Sequence, residues 1–214
     1  MTQPRWAVGG DFYDYVDTGR DFRVVLGDAC GKGTAAALQA AMVQGILATQ
    51  ATQAEADAGP AQVMAHLNRA LCRRLIPARF VTLFYGTLTS GNRLVYSNAG
   101  LCRPLLVNNN HVYRLATGGP PLGLFGDARY EEGRIALHPG DVLVACSDGI
   151  LEAARGSGNG DEEFGEQRVL EVVQERRQRS AEEIVAGLVR AVRAFTGEAP
   201  PRDDMTAVVV RFLG

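Results

Sequence analysis

Residues 22–50 read FRVVLGDACGKGTAAALQAAMVQGILATQ, a short apolar strand, a glycine-rich turn with an acid inside it, and an alanine-rich helix. Phe22, Val24, Val25 and Leu26 suit a strand, while the run of alanine, leucine, glutamine and methionine suits a helix. The turn itself, GDACGKGT at 27–34, carries the glycines, lysine and threonine of a phosphate-cradling loop but departs from that pattern twice. Three residues separate Gly27 from Gly31, where the loop needs four, and Gly33 follows Lys32 where a hydroxyl residue must stand. What remains to be explained is Asp28.

Outward from this unit the chain keeps one rhythm. A polar stretch, ATQAEADAGP (51–60), leads to a second helix whose apolar positions Val63, Met64, Leu67, Leu71 and Leu75 recur at helical spacing. Both helices read as one-sided and are expected to pack on a sheet. The middle is rich in strands: FVTLFYGTL, a turn at TSGN, RLVYSNAG, then RPLLVN and HVYRLA around three asparagines that suit a tight hairpin. Strands are also expected at about 130–137 and at DVLVACS (141–147). Residues 156–165, GSGNGDEEFG, read as a loop and a candidate flap. Two helices follow, the second opening on Ser180 and Glu183 at capping-box spacing, and the chain closes on the strand MTAVVVRFL. Runs of antiparallel strands flanked by helix pairs predict an α+β layered sandwich, stacked sheets with helices on their outer faces. Without repeats, linkers or a break in composition, residues 1–214 read as a single domain.

The bulk numbers narrow the function. With 46% hydrophobic residues in 214, the chain can bury a substantial core. A formal charge of −2, from 22 basic and 24 acidic residues interspersed, provides no field for nucleic acid or a membrane surface. The four cysteines are scattered without a C-x-x-C pair, which excludes a thiolate zinc site and a disulfide framework and fits a cytoplasmic protein. A cysteine-dependent phosphatase needs arginine six residues after its cysteine. Ala36, Ala78, Asn108 and Glu152 stand there instead. Cys30 and Cys146 each lie two residues from an acid singled out below, which raises redox sensitivity against the simpler reading of two small buried hydrophobes.

Four acids share one context, a glycine-rich or polar turn touching an apolar strand: Asp11 in VGGDFYDY, Asp28 in VVLGDACGKG, Asp148 in LVACSDGI and Asp203 in PRDDMTAVVV. Taken singly, aspartate beside glycine is an ordinary turn former, and Asp127 and Asp141 read that way. Four strand ends meeting at one rim of a sheet would bring the carboxylates together, and clustered carboxylates need cations. Oxygen ligands suit Mg²⁺ or Mn²⁺ rather than zinc or copper. Two such ions about 3.5–4 Å apart form an apparatus for in-line attack on phosphorus.

In these strings, with RFVTLFYGTLTSGNRLVYSNAG, TGGPPLGLF and GDVLVACSDGILEA in the same order, the sequence resembles the PPM (type 2C) metal-dependent protein phosphatases, in their bacterial SpoIIE/RsbU-like branch. The resemblance runs from residue 8 nearly to the C-terminus. It implies a four-layer α/β-β/α sandwich and a centre of two Mn²⁺ or Mg²⁺ ions that hydrolyses phosphoserine or phosphothreonine in a protein. It further implies that Asp28 bridges the ions, that Asp11 and the carbonyl of Ala29 serve one, and that Asp148 and Asp203 hold the other. Asp14 and Asp204 are neighbours acting at one remove or through water, and Lys32 is either near incoming phosphate or a solvated turn lysine. The implied substrate is a phosphorylated STAS-type anti-sigma-factor antagonist, the implied partners an upstream sensor or regulatory domain, and a homodimer is compatible with it. Leu101 and Cys102 follow NAG where the family often has histidine and asparagine. The rival reading is a non-catalytic domain of the same fold that binds a partner.

Overall fold

The computed structural model describes residues 1–5, 8–52, 58–73, 79–109, 111–155, 162–197 and 199–214. Most of the candidate flap, residues 156–161, and Leu75 lie outside the described residues.

In the first half, β1 (Thr2–Gln3), β2 (Asp11–Asp17) and β3 (Asp21–Ala29) lead to α1 (Thr34–Thr52) and α2 (Pro60–Cys72), then β4 (Val81–Thr89) and β5 (Arg93–Ala99). Next come β6 (Leu105–Val107), β7 (Val112–Arg114), β8 (Gly118–Gly119), β9 (Gly133–Ala136) and β10 (Val142–Cys146). The chain continues through α3 (Asp148–Leu151), α4 (Gly165–Arg176) and α5 (Ala181–Thr196) to β11 (Met205–Arg211). The strands form two sheets. One runs β2-β3-β4-β5-β8, with β9 also paired to β5; the other runs β1-β11-β10-β6-β7. All pairings are antiparallel except β5 with β8.

The alternation of side chains along each strand sorts the core into three layers. Val24, Leu26, Phe84, Leu94, Leu106, Leu143 and Ala145 fill the space between the two sheets. Their neighbours one residue away point outward. Val25, Leu83 and Tyr85 pack with Val43, Met64, Leu67 and Leu71 of α1 and α2. Val142, Val144 and Cys146 pack with Val169, Val173, Ile184 and Leu188 of α4 and α5. Strands buried on both faces read as continuous apolar runs, as VVL and VLVAC do. The expected helix–sheet–sheet–helix sandwich is therefore the observed one, and each fully buried leucine or phenylalanine contributes about 1.5–3 kcal/mol of transfer free energy.

Two details differ from the sequence reading. The sidedness of α1 is not written in residue type, because alanine lies all around it. Ala36, Gln39, Ala40, Val43 and Leu47 are buried at helical spacing, while Leu38 faces solvent. The short elements β8 and α3 carry too few residues for any periodicity. The asparagine hairpin is present: β6 and β7 pair with Leu106 opposite Tyr113, and the His111 N–H donates to Asn108 Oδ1 at 2.7 Å. The capping box at Ser180 and Glu183 forms in both directions. Among the described residues no helix is long and apolar enough to cross a membrane.

Candidate metal centre

The acids meet because of register and parity. Asp11 opens β2 and stands directly opposite Asp28 near the end of β3. Asp28 shares its face with Val24 and Leu26, so its carboxylate continues the inter-sheet layer beyond the last apolar pair. From the other sheet, β10 and β11 run antiparallel with Cys146 opposite Ala207, which leaves Asp148 and Asp203 just past their paired ends. The rim of the inter-sheet cleft thus receives two acids from each sheet. Among the described residues, no three His, Cys, Asp or Glu side chains are gathered closely enough to cage an ion as they stand.

Their electrostatics record the crowding. The Asp11 carboxyl is pushed up to about 7, first by burial and then by Asp28 and Asp204, while the nearby Thr206 and Ser147 hydroxyls favour the anion. Asp28 is also pushed up to about 7, again first by burial and then by Asp148, Asp203 and Asp204. Asp148 is raised by burial and by Asp203, with Lys32 opposing. Glu152, just past the C-terminal end of α3, is raised by burial and by Asp148. Raised carboxyls in one cleft mark a place where negative charge is concentrated beyond what the fold alone would tolerate.

The turn after β3 presents its main chain to the same place. Gly31 (φ 113°) and Gly33 (φ 65°) sit in the left-handed region that other residues rarely adopt, and they bend the chain around Cys30 and Lys32. Lys32 reaches back to within 3.8 Å of Asp203. Ala29 donates its N–H to the Gly10 carbonyl at 3.2 Å. A side chain at Gly10 would begin 2.6 Å from the Ala29 carbonyl oxygen and 3.2 Å from Asp28 Oδ1. Glycine at 10 therefore keeps both oxygens accessible.

Asp204 has a different task. Its Oδ2 accepts from the Gly10 N–H at 2.8 Å and its Oδ1 from the Arg5 N–H at 2.7 Å, which pins the turn before β2 to the start of β11. A carboxylate so engaged is a brace. Asp14 lies on the opposite face of β2 from Asp11, paired in register with Val25, and accepts from its own neighbour Tyr15 N–H at 2.8 Å. Strand parity takes it away from the rim. Cys146 is buried, and burial pushes its thiol up to about 12, away from the thiolate form that reactivity needs.

Sequence reasoning passed over Ser147 and Thr206. Ser147 is fully buried, its hydroxyl donates to the Asp204 carbonyl at 3.2 Å, and it accepts from the Thr206 N–H at 2.9 Å. The Ser147 hydroxyl thus ties the β10 and β11 ends together, while the Thr206 hydroxyl bonds that of Thr2 at 3.1 Å, and both hydroxyls lie close to Asp11. Their only signal is a hydroxyl residue next to Asp148 in CSDG and one two residues after Asp204 in DDMT.

The sequence profile of Stage II sporulation protein E (SpoIIE) matches residues 18–213. The chain belongs to the SpoIIE family. Among its relatives is the phosphoserine phosphatase RsbU of Bacillus subtilis, 27% identical over 215 aligned residues that take in 99% of this chain and 62% of RsbU. The SpoIIE-family chain described here thus spans less than two thirds of that relative's length. In fold it is similar to the SiaA PP2C domain of Pseudomonas aeruginosa, with a TM-score of 0.88 at 23% identity over 99% of this chain and 84% of that one. It is also similar to the catalytic domain of the serine/threonine phosphatase PstP, solved with two manganese ions, with a TM-score of 0.69 at 18% identity over 100% of this chain and 96% of PstP's. These likenesses establish the PP2C-type sandwich.

Proposed function

We propose that this chain is a metal-dependent protein phosphatase that hydrolyses phosphoserine or phosphothreonine, and that its four rim acids hold two Mn²⁺ or Mg²⁺ ions. The observation that carries this reading is the convergence of Asp11 and Asp28 from one sheet with Asp148 and Asp203 from the other. The donor set fits hard divalent cations. It is all oxygen, Asp11 Oδ2 is buried without a hydrogen-bond partner, and Gly10 leaves the Ala29 carbonyl bare. The phosphoserine phosphatase activity of RsbU and the two manganese ions in PstP support the same conclusion.

Each residue then has a part. Asp28, coupled to Asp11 in its own sheet and to Asp148 and Asp203 of the other, would serve both ions. Asp11 and the Ala29 carbonyl would hold one ion, and Asp148 and Asp203 the other. Two adjacent divalent ions supply a hydroxide nucleophile at neutral pH and offset charge on the phosphoryl oxygens. Ser147 and Thr206 orient Asp11, and Asp204 holds the Gly9–Gly10 turn against β11 so that Asp11 and Ala29 keep their spacing. Lys32, exposed beside Asp203, stands where it can meet an incoming phosphate once divalent ions occupy the acids.

For substrate we infer a phosphorylated STAS-type anti-sigma-factor antagonist, with an upstream sensor or regulatory partner governing the site. The test is phosphate release from a phosphoserine protein against Mn²⁺ concentration, run beside Asp148→Asn, using a phosphorylated STAS protein and an unrelated phosphoprotein. Metal-dependent release that falls at least a hundredfold in the folded variant is the expected result. No release at any Mn²⁺ level, with melting and circular dichroism intact, would refute the phosphatase in favour of a partner-binding domain. Equal rates on the two substrates would refute the STAS assignment alone.

A further inference from the structure

Next to the acid rim lies a cavity of about 410 Å³ that the hydrolytic site does not use. Its floor is apolar, formed by Leu101, Leu105, Val144, Leu151 and Val169 from the loop after β5, strands β6 and β10 and helices α3 and α4, with Arg103 and Glu166 at the lip. It adjoins the rim through three contributions. Leu151 is one turn along α3 from Asp148, Cys146 precedes Asp148 by two residues, and Cys102 is within electrostatic reach of Asp148, Glu152 and Asp28. The loop that forms one wall is held rigidly. Buried Asn98 donates to the Leu101 and Leu115 carbonyls at 3.1 and 3.0 Å and accepts from the Leu101 N–H at 2.8 Å.

The lip carries a cation held by no partner acid among the described residues. Glu166 is neutralised by Arg114 at 2.6 Å, whereas Arg103 is exposed and makes no ion pair among the described residues. Arg103 thus places one cationic side chain at the lip, while the rim acids Asp148 and Asp28, with Glu152, lie within electrostatic reach of Cys102 on the side toward the acid site.

We infer that this cavity is a substrate subsite, which takes an apolar side chain within two residues of the phosphoserine while Arg103 attracts the negatively charged phosphopeptide. The inference rests on the phosphatase reading and names what that site selects. An extended peptide advances about 3.3 Å per residue with alternating sides, so flanking residues fall within reach of a cavity that adjoins the rim. Its volume falls in the range of small ligand pockets and exceeds the needs of one leucine or phenylalanine. Because the leucine leaves water for a preformed apolar wall, the preference it creates should be about tenfold or more.

The probes are p-nitrophenyl phosphate and synthetic phosphoserine decapeptides that carry leucine or alanine at each of the four positions flanking the phosphoserine. Their kcat/KM values are compared for the wild type, Cys102→Phe and Arg103→Glu in saturating Mn²⁺. The wild type is expected to favour leucine over alanine at one position by at least tenfold. In Cys102→Phe, where the new ring occupies the cavity, that ratio should fall below about threefold. In Arg103→Glu, KM for every peptide should rise at least fivefold, mostly without loss of kcat; the exposed position makes this variant a test independent of core packing. Turnover of p-nitrophenyl phosphate and peptides without any leucine preference would overturn the subsite while leaving the phosphatase standing. A preference that survives both substitutions would overturn it equally. Absence of metal-dependent turnover on every probe would overturn the phosphatase reading and this inference with it.

Discussion

Replacing Asp28 by asparagine should make the metal-free protein more stable while destroying its function. Asp28 is carried from about 3.8 to about 7 by burial and by three neighbouring acids. A folded pKa above the unfolded value means that the folded state holds the proton more tightly. The wild type is therefore most favoured at low pH and loses that stability as pH rises from about 4 to about 7. Three pH units at 1.36 kcal/mol each set a ceiling of about 4 kcal/mol at pH 8. Partial exposure to solvent and sharing of charge with Asp11, Asp148 and Asp203 bring the expected figure to about 1–2 kcal/mol. Asparagine keeps the shape without the charge, so at pH 8 in EDTA the variant should melt about 3–6 °C above the wild type. The gap should close as pH falls toward 4. Mn²⁺ should reverse the order, raising the wild type and leaving the variant nearly where it was. The assay is thermal melting at pH 4, 6 and 8, with EDTA and with Mn²⁺. A variant that melts at or below the wild type in EDTA at pH 8 would refute the claim that the acids are gathered there at a cost to the fold.

Gly10→Ala places a methyl group against the Ala29 carbonyl and should weaken Mn²⁺ binding at least tenfold by titration calorimetry, at a cost of about 1–3 kcal/mol in stability. Ser147→Ala should lower metal affinity as well, since it frees both Asp11 and the ends of β10 and β11; unchanged affinity would exclude the positioning role. Ser180→Ala removes one half of the capping box of α5, far from the rim, and should cost about 1 kcal/mol in thermal melting with no change in turnover.

Much of this protein was legible in one dimension. The strand–turn–helix of residues 22–50, the paired helices, the hairpins and the Ser180 cap follow from local propensity, and local signals survive folding unchanged. The acids Asp11, Asp28, Asp148 and Asp203 could be picked out because each interrupts an apolar strand end, a place where a carboxylate is costly unless something there needs it. Resemblance then supplied their roles. Tertiary structure alone decided which neighbours share the rim. Strand parity sends Asp14 to the far face of β2 although it lies only three residues from Asp11, and Asp204 spends both oxygens on Gly10 and Arg5 although it adjoins Asp203. Ser147, Thr206 and the cavity beneath Leu101 depend on strands brought together across more than fifty residues, where no spacing in the sequence records the contact. Local order is set by covalent neighbours; the site is set by which strand ends meet.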